Sequence, residues 1–176
     1  MKTKGYSIFL IPSGEFYKSL SLIIKKFSES FGTPLFEPHV TLLGGITGKE
    51  NEIKEKTHKL SLVIDPITIV LKDLDYQDYY LKSLIIEVEH SKDLMSANKA
   101  AERIFRIKDQ NNYQPHLSLL YGDISIQAKK QSIKNLGNNI KGEFTVDSIY
   151  LVNAEGFIQD WKKIGGYRLK GSTRFF

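Results

Sequence analysis

The 176-residue chain has no cysteine, one tryptophan, two methionines and five prolines. Without cysteine it can have no disulfide framework, thiolate nucleophile or cysteine zinc site, which removes whole enzyme classes and fits a reducing cytoplasm. No apolar run approaches the ~20 residues of a membrane helix; the longest, Tyr6 to Pro12 and Leu84 to Val88, are strand-sized. Lys2 and Lys4 before Ile8 to Ile11 resemble a signal peptide only as far as Pro12 and Glu15, and no small-residue cleavage site follows, so the segment reads as a first strand. There is no glycine-rich phosphate loop, Walker motif or nucleophile elbow, and Gly165-Gly166 precedes a strand pattern, as a turn or bulge would.

The residues present are those of a folded protein. Apolar types make up 41%, with 10 Phe and 9 Tyr, too many for a disordered tail. The length is that of one domain, residues 1–176, and no low-complexity linker or composition break divides it. A soluble monomer without membrane attachment is expected. The net charge of +5 is spread in pairs such as Lys25-Lys26, Lys129-Lys130 and Lys162-Lys163, and steers weakly toward anionic ligands.

Phe16, Leu20, Ile23, Ile24, Phe27 and Phe31 keep a helical stripe, with Ser13 as N-cap. Thr47 and Glu50 have capping-box spacing and predict a second helix to about Leu60. A third follows Ser91, with Leu94, Ala97, Ala101, Ile104 and Phe105 inward, and a fourth runs from Ser125 to Leu136 with Gly137 as its stop. Strand patterns occupy 6–11, 39–43, 67–74, 81–89, 116–121, 143–152 and 161–169, with a hairpin turn at 75–79.

The order helix, extended segment, helix, strand occurs over 14–74 and again over 91–152, and the two extended segments superpose. Phe36-Glu37-Pro38-His39-Val40-Thr41-Leu42-Leu43-Gly44-Gly45 and Tyr113-Gln114-Pro115-His116-Leu117-Ser118-Leu119-Leu120-Tyr121-Gly122 share aromatic, Pro, His, aliphatic, hydroxyl, Leu, Leu and Gly at matching offsets. Such a repeat implies a two-lobed fold with approximate twofold symmetry, its paired strands facing each other across a cleft. In a strand, residues i and i+2 share a face, so His39 projects with Thr41 and His116 with Ser118, while Val40, Leu42, Leu117 and Leu119 anchor the opposite face.

Imidazole titrates near neutrality, so one histidine can serve as base and the other as acid, each worth roughly 10²–10⁴ in rate. The hydroxyls can donate to phosphate oxygens. A single His-x-Thr is nearly meaningless, and its ordinary explanation is a structural or surface histidine. Duplication of a fold would repeat the aliphatics, but it does not account for histidine and hydroxyl recurring on the other face. Two histidines and two hydroxyls are a poor metal set, and Glu37 and Asp123 flank the motifs at mismatched offsets. No metal or cofactor is therefore expected. His58 and His90 read as surface residues. Phe9, Tyr121 and Trp161 are aromatic stacking candidates whose ordinary place is the core.

At Pro38-His39-Val40-Thr41 and Pro115-His116-Leu117-Ser118 the sequence resembles the two-histidine phosphoesterase superfamily. Tyr6-Ser7-Ile8-Phe9-Leu10 and His116 to Tyr121 are similar to its cyclic phosphodiesterase branch. The resemblance implies an α+β fold, two-lobed and pseudo-symmetric, with antiparallel sheets lining a central cleft and helices outside. It also implies metal-independent opening of a 2′,3′-cyclic nucleotide or of ADP-ribose 1″,2″-cyclic phosphate. By the same resemblance His116 is the base and His39 the acid, Thr41 and Ser118 bind phosphate, and Tyr121 and Phe9 contact substrate. Tyr121 can reach the pocket only if the strand bulges or ends there. Relatives with the same motifs process RNA ends or only bind nucleotides, and these are the alternative functions.

Overall fold

The structure, a computed structural model, describes residues 1–107, 113–137 and 140–172. Its strands are β1 (Lys2–Thr3), β2 (Tyr6–Leu10), β3 (Val40–Ile46), β4 (Ile67–Asp75), β5 (Leu84–Val88), β6 (His116–Leu120), β7 (Gly142–Val146), β8 (Ser148–Asn153), β9 (Gly156–Phe157) and β10 (Lys162–Arg168). The helices are α1 (Gly14–Phe31), α2 (Glu50–Ser61), α3 (Lys92–Phe105) and α4 (Ile126–Leu136).

All four predicted helices form, and three begin at the predicted caps. Ser91 and Ser125 accept from the backbone N–H of Leu94 and Ala128, whereas Ser13 occupies its N-cap without a side-chain bond. The Thr47 capping box does not form. Gly48 takes φ +138, which interrupts the chain before the helix, and α2 starts at Glu50 after Lys49. The Glu50 carboxylate, which would have closed the box, instead accepts from Lys54 at 2.6 Å and Tyr6 at 3.4 Å.

Eight strands form one curled antiparallel sheet in the order β10-β8-β2-β3-β6-β5-β4-β7, with the two motif strands at its centre. They lie side by side in one sheet rather than facing each other across a gap. A single bridge, Val40 to Leu117, joins the halves, and these two residues occupy equivalent positions in the repeat. The approximate twofold axis therefore passes between them. Each long helix covers the other half's motif strand, α1 on β6 and α3 on β3. Asn98 of α3 fastens this crossing by donating from its buried amide to the Leu42 carbonyl at 2.8 Å.

The strand expected over 143–152 is two strands. The chain breaks at exposed Asp147, whose carbonyl accepts from the Leu169 N–H at 2.8 Å, outside the ladder. β7 then lies at the sheet edge beside β4, while β8 pairs with β2 and β10 in the other half. The segment expected as strand from Leu81 enters the ladder only at Leu84, because Tyr80–Lys82 form a 3₁₀ turn.

Val40, Leu42, Leu117 and Leu119 are fully buried in the main core, as the alternation requires. By transfer such side chains are worth about 1.5–3 kcal/mol each, enough to anchor strands whose opposite face carries polar groups. A second cluster, Phe9, Ile11, Val152 and Ala154 with Tyr17, Tyr150 and Trp161 against it, surrounds the first histidine. Among the described residues no helix is long and apolar enough to cross a membrane.

Candidate active site

The histidines sit at the N-terminal ends of β3 and β6, on the face opposite the core aliphatics. Extending the Val40–Leu117 register by one residue each way sets Thr41 opposite His116 and His39 opposite Ser118. Each imidazole thus neighbours the hydroxyl of the other motif as well as its own. A cleft of about 380 Å³ is lined by His39, Thr41 and His116 together with Phe9, Tyr121 and Trp161.

Both rings are held in the same way. The Nδ1 of His39 lies 2.6 Å from the Glu37 carbonyl, and that of His116 lies 2.9 Å from the Gln114 carbonyl. A carbonyl only accepts, so each Nδ1 carries the proton and each Nε2 is left for other partners. The bond is local, two residues back in each copy, so the repeat builds it twice. The motif aromatics reach across the axis. Phe36 stacks on Tyr121 at 3.8 Å, and the Tyr113 hydroxyl donates to the Thr41 carbonyl at 2.9 Å.

The environments of the two rings differ. His39 is 5% exposed and stacks face to face on Phe9 at 3.6 Å, with Phe36 and Trp161 edge-on and the Tyr121 hydroxyl 3.4 Å from Nε2. Burial pulls its pKa down to about 4. His116 is half-buried, and burial followed by the nearby positive charge of Lys82 lowers its pKa also. Glu37 is fixed by its side chain, which accepts from Tyr17 at 3.1 Å and Lys163 at 3.2 Å, so the carbonyl that orients His39 belongs to a restrained residue.

The remaining predicted residues take distinct places. Tyr121 lies just beyond the end of β6, released from alternation, and its buried phenol reaches His39. Burial raises its pKa, so it is a neutral donor. Ser118 is 3% exposed, borders the Tyr121 phenol and donates to the Leu81 carbonyl at 3.0 Å. Phe9 gives a ring face to His39. The Trp161 indole donates to Thr3 at 2.9 Å, while Thr3 itself bonds to the Ala154 carbonyl, which ties β1 into the wall. His58 and His90 are exposed. Sequence reasoning did not assign Lys2, Lys4, Tyr79 or Lys82 to the site, although they also line the cleft; no local pattern ties any of them to the two motifs. Among the described residues no carboxylate lines this cleft, and they contain no group of three or more His, Cys, Asp or Glu suited to a metal.

A curled antiparallel sheet with external helices and two histidine strands at its centre is the architecture of the two-histidine phosphoesterase superfamily. The fold matches TT0787 of Thermus thermophilus with a TM-score of 0.63 at 14% identity, covering 98% of this chain and 100% of that one. It also matches E. coli LigT in apo form, with a TM-score of 0.62 at 12% identity, covering 97% and 99%. The chain belongs to the cyclic phosphodiesterase-like protein family, whose model matches residues 4–169, and is an enzyme of the cyclic phosphodiesterase class. It is 21% identical over 132 residues to the cyclic phosphodiesterase of Arabidopsis thaliana, covering 75% of this chain and 73% of that protein.

Proposed function

We propose that the protein hydrolyses a cyclic phosphodiester, a 2′,3′-cyclic nucleotide or ADP-ribose 1″,2″-cyclic phosphate, with His39 and His116 as the acid–base pair. The observation that carries this reading is the composition of the cleft: two imidazoles and three lysines, with no carboxylate among the described residues that line it. Such a site favours an anionic substrate over a metal ion. Structures of E. coli LigT with phosphate, NADP+, 3′-AMP and ATP support a small phosphate-bearing ligand.

In this mechanism the water oxygen attacks phosphorus while His116 Nε2 takes its proton. The P–O bond opposite breaks, and His39 Nε2 delivers a proton to the leaving ester oxygen. The charges around each ring support these roles. Lys82 disfavours imidazolium at His116 and keeps it a base, whereas the Phe9 face against His39 stabilises imidazolium by a cation–π contact once an anionic phosphate draws a proton there. Thr41 donates to a non-bridging oxygen, and the neutral Tyr121 phenol orients His39. The roles imply opening to a 2′-phosphate, or to a 1″-phosphate for the ADP-ribose substrate.

The test is turnover of 2′,3′-cyclic nucleotides, ADP-ribose 1″,2″-cyclic phosphate and a cyclic-phosphate-terminated RNA oligomer by the wild type, His39→Ala and His116→Ala. Each substitution is expected to cost at least ~10²-fold, and the double variant far less than the product of the two losses. A highly activated leaving group should rescue His39→Ala and leave His116→Ala slow; the reverse pattern exchanges the roles. Turnover of the RNA end alone would make this an RNA-end enzyme. Tight nucleotide binding without turnover would make it a binding module.

A further inference from the structure

Each histidine forms the boundary between the central cleft and a second cavity, and the two boundaries are built differently. The cavity beside His39, about 460 Å³, shares Phe9 and Trp161 with the cleft, an aromatic wall. The cavity beside His116, about 540 Å³, shares Lys82 alone, apart from His116 itself. The repeat would lead one to expect matching partners. The sequence supplies an aromatic on one side and a cation on the other.

Lys82 is half-buried, and among the described residues no carboxylate pairs with its ammonium, whereas Lys72, Lys129 and Lys163 each have one. Its backbone is fixed from several directions. The Lys82 N–H donates to Tyr79 at 2.9 Å, and the Lys82 carbonyl accepts from Gln77 at 3.1 Å. The Tyr80 carbonyl accepts from Gly122 at 2.9 Å. From α4, the buried Lys129 ammonium donates to the Gln77 carbonyl at 2.9 Å. Ser118, the hydroxyl expected to meet phosphate on this side, spends its proton on the Leu81 carbonyl at 3.0 Å. The motif hydroxyl therefore positions the 3₁₀ turn that carries the lysine.

We propose that Lys82 joins Thr41 as a phosphate-binding group of the cleft and is a catalytic residue, its ammonium donating to a non-bridging oxygen of the reacting phosphate beside His116. The assignment rests on the cyclic phosphodiester reading above. No proton leaves Lys82; it acts by charge and hydrogen bonding as negative charge gathers on phosphorus during attack. It also sets the protonation of its neighbour. The titratable groups around His116 are Lys82, Glu87, its cross-strand partner on β5, and His39, Tyr121, Tyr79, Lys2 and Lys4 in the cleft, with Lys72, Asp73, Glu89 and His90 farther along the cavity. Lys82 is the cation whose charge lowers the His116 pKa.

The experiment compares wild type, Lys82→Met and Lys82→Arg on a 2′,3′-cyclic nucleotide across pH, and titrates each with inorganic phosphate while following the histidine ring resonances. Lys82→Met is expected to lower kcat by about 10- to 100-fold with a smaller change in KM. It should move the limb of kcat/KM that His116 sets to higher pH as that ring becomes easier to protonate, and weaken phosphate binding at least ~5-fold. Lys82→Arg should restore most of each. A loss below twofold, or a loss with an unmoved pH limb and unchanged phosphate affinity, overturns the assignment. If the wild type turns over no cyclic phosphate, the functional reading fails, and the phosphate titration alone decides Lys82: equal affinity in Lys82→Met, or none in the wild type, overturns it.

Discussion

Burial holds the His39 imidazole well below its ordinary pKa. A buried imidazole with a pKa of about 4 must be neutral for the protein to fold, while the unfolded chain binds a proton near 6.5. Between those values the unfolded state holds more protons, so stability falls as pH drops from 6.5 toward 4 and is fully present above 6.5. The gap corresponds to about 3 kcal/mol at 1.36 kcal/mol per pH unit. Thermal unfolding across this range should show a steeper slope in the wild type than in His39→Gln, where only His116 still contributes; parallel curves would refute it. Both histidines lie below the ordinary value, so the bell of kcat/KM should peak on the acid side of pH 6.5, because His39, the acid, gives up its proton in the free enzyme above about pH 4.

At the scale of elements, the turn after β6 decides whether Tyr121 serves the site. Gly122 takes φ +146, and a Cβ there would lie 2.7 Å from Thr33 Cγ2. Gly44, the residue equivalent to Tyr121 in the first copy, has an ordinary φ and would meet Ser7 and Thr41 no closer than 3.5 Å. Gly122→Ala is therefore expected to destabilise by about 1–3 kcal/mol and to reduce turnover by displacing Tyr121 from His39. Gly44→Ala should leave the unfolding midpoint nearly unchanged. Equal destabilisation by the two would show that this turn is not a strained one.

The whole molecule places two copies of one motif about a twofold axis and then differentiates them, with aromatic walls around one imidazole and a lysine beside the other. Because the cleft is rich in lysine and lacks carboxylates, kcat/KM for an anionic cyclic phosphate should fall with added salt as long-range steering is screened. Activity should survive exhaustive chelation. Turnover abolished by chelation and restored by zinc or manganese would require both histidines to be ligands.

The sequence alone determined which residues could meet. A period of two within 36–45 and 113–122 put His39 with Thr41 and His116 with Ser118 opposite the aliphatics, and the recurrence of that pattern singled them out as the candidate site. Helix stripes and the serines before α3 and α4 were legible because those signals lie within one or two turns of chain. Tertiary structure decided the rest, since it depends on contacts between distant segments. It set the crossed pairing of each imidazole with the other motif's hydroxyl, divided 143–152 between the two halves of the sheet, and released Tyr121 at a strand end. It also brought Lys82 to His116 and Phe9 to His39. The same dipeptides and lysines elsewhere in the chain carry the same local signal, and only the folding of the sheet distinguishes them.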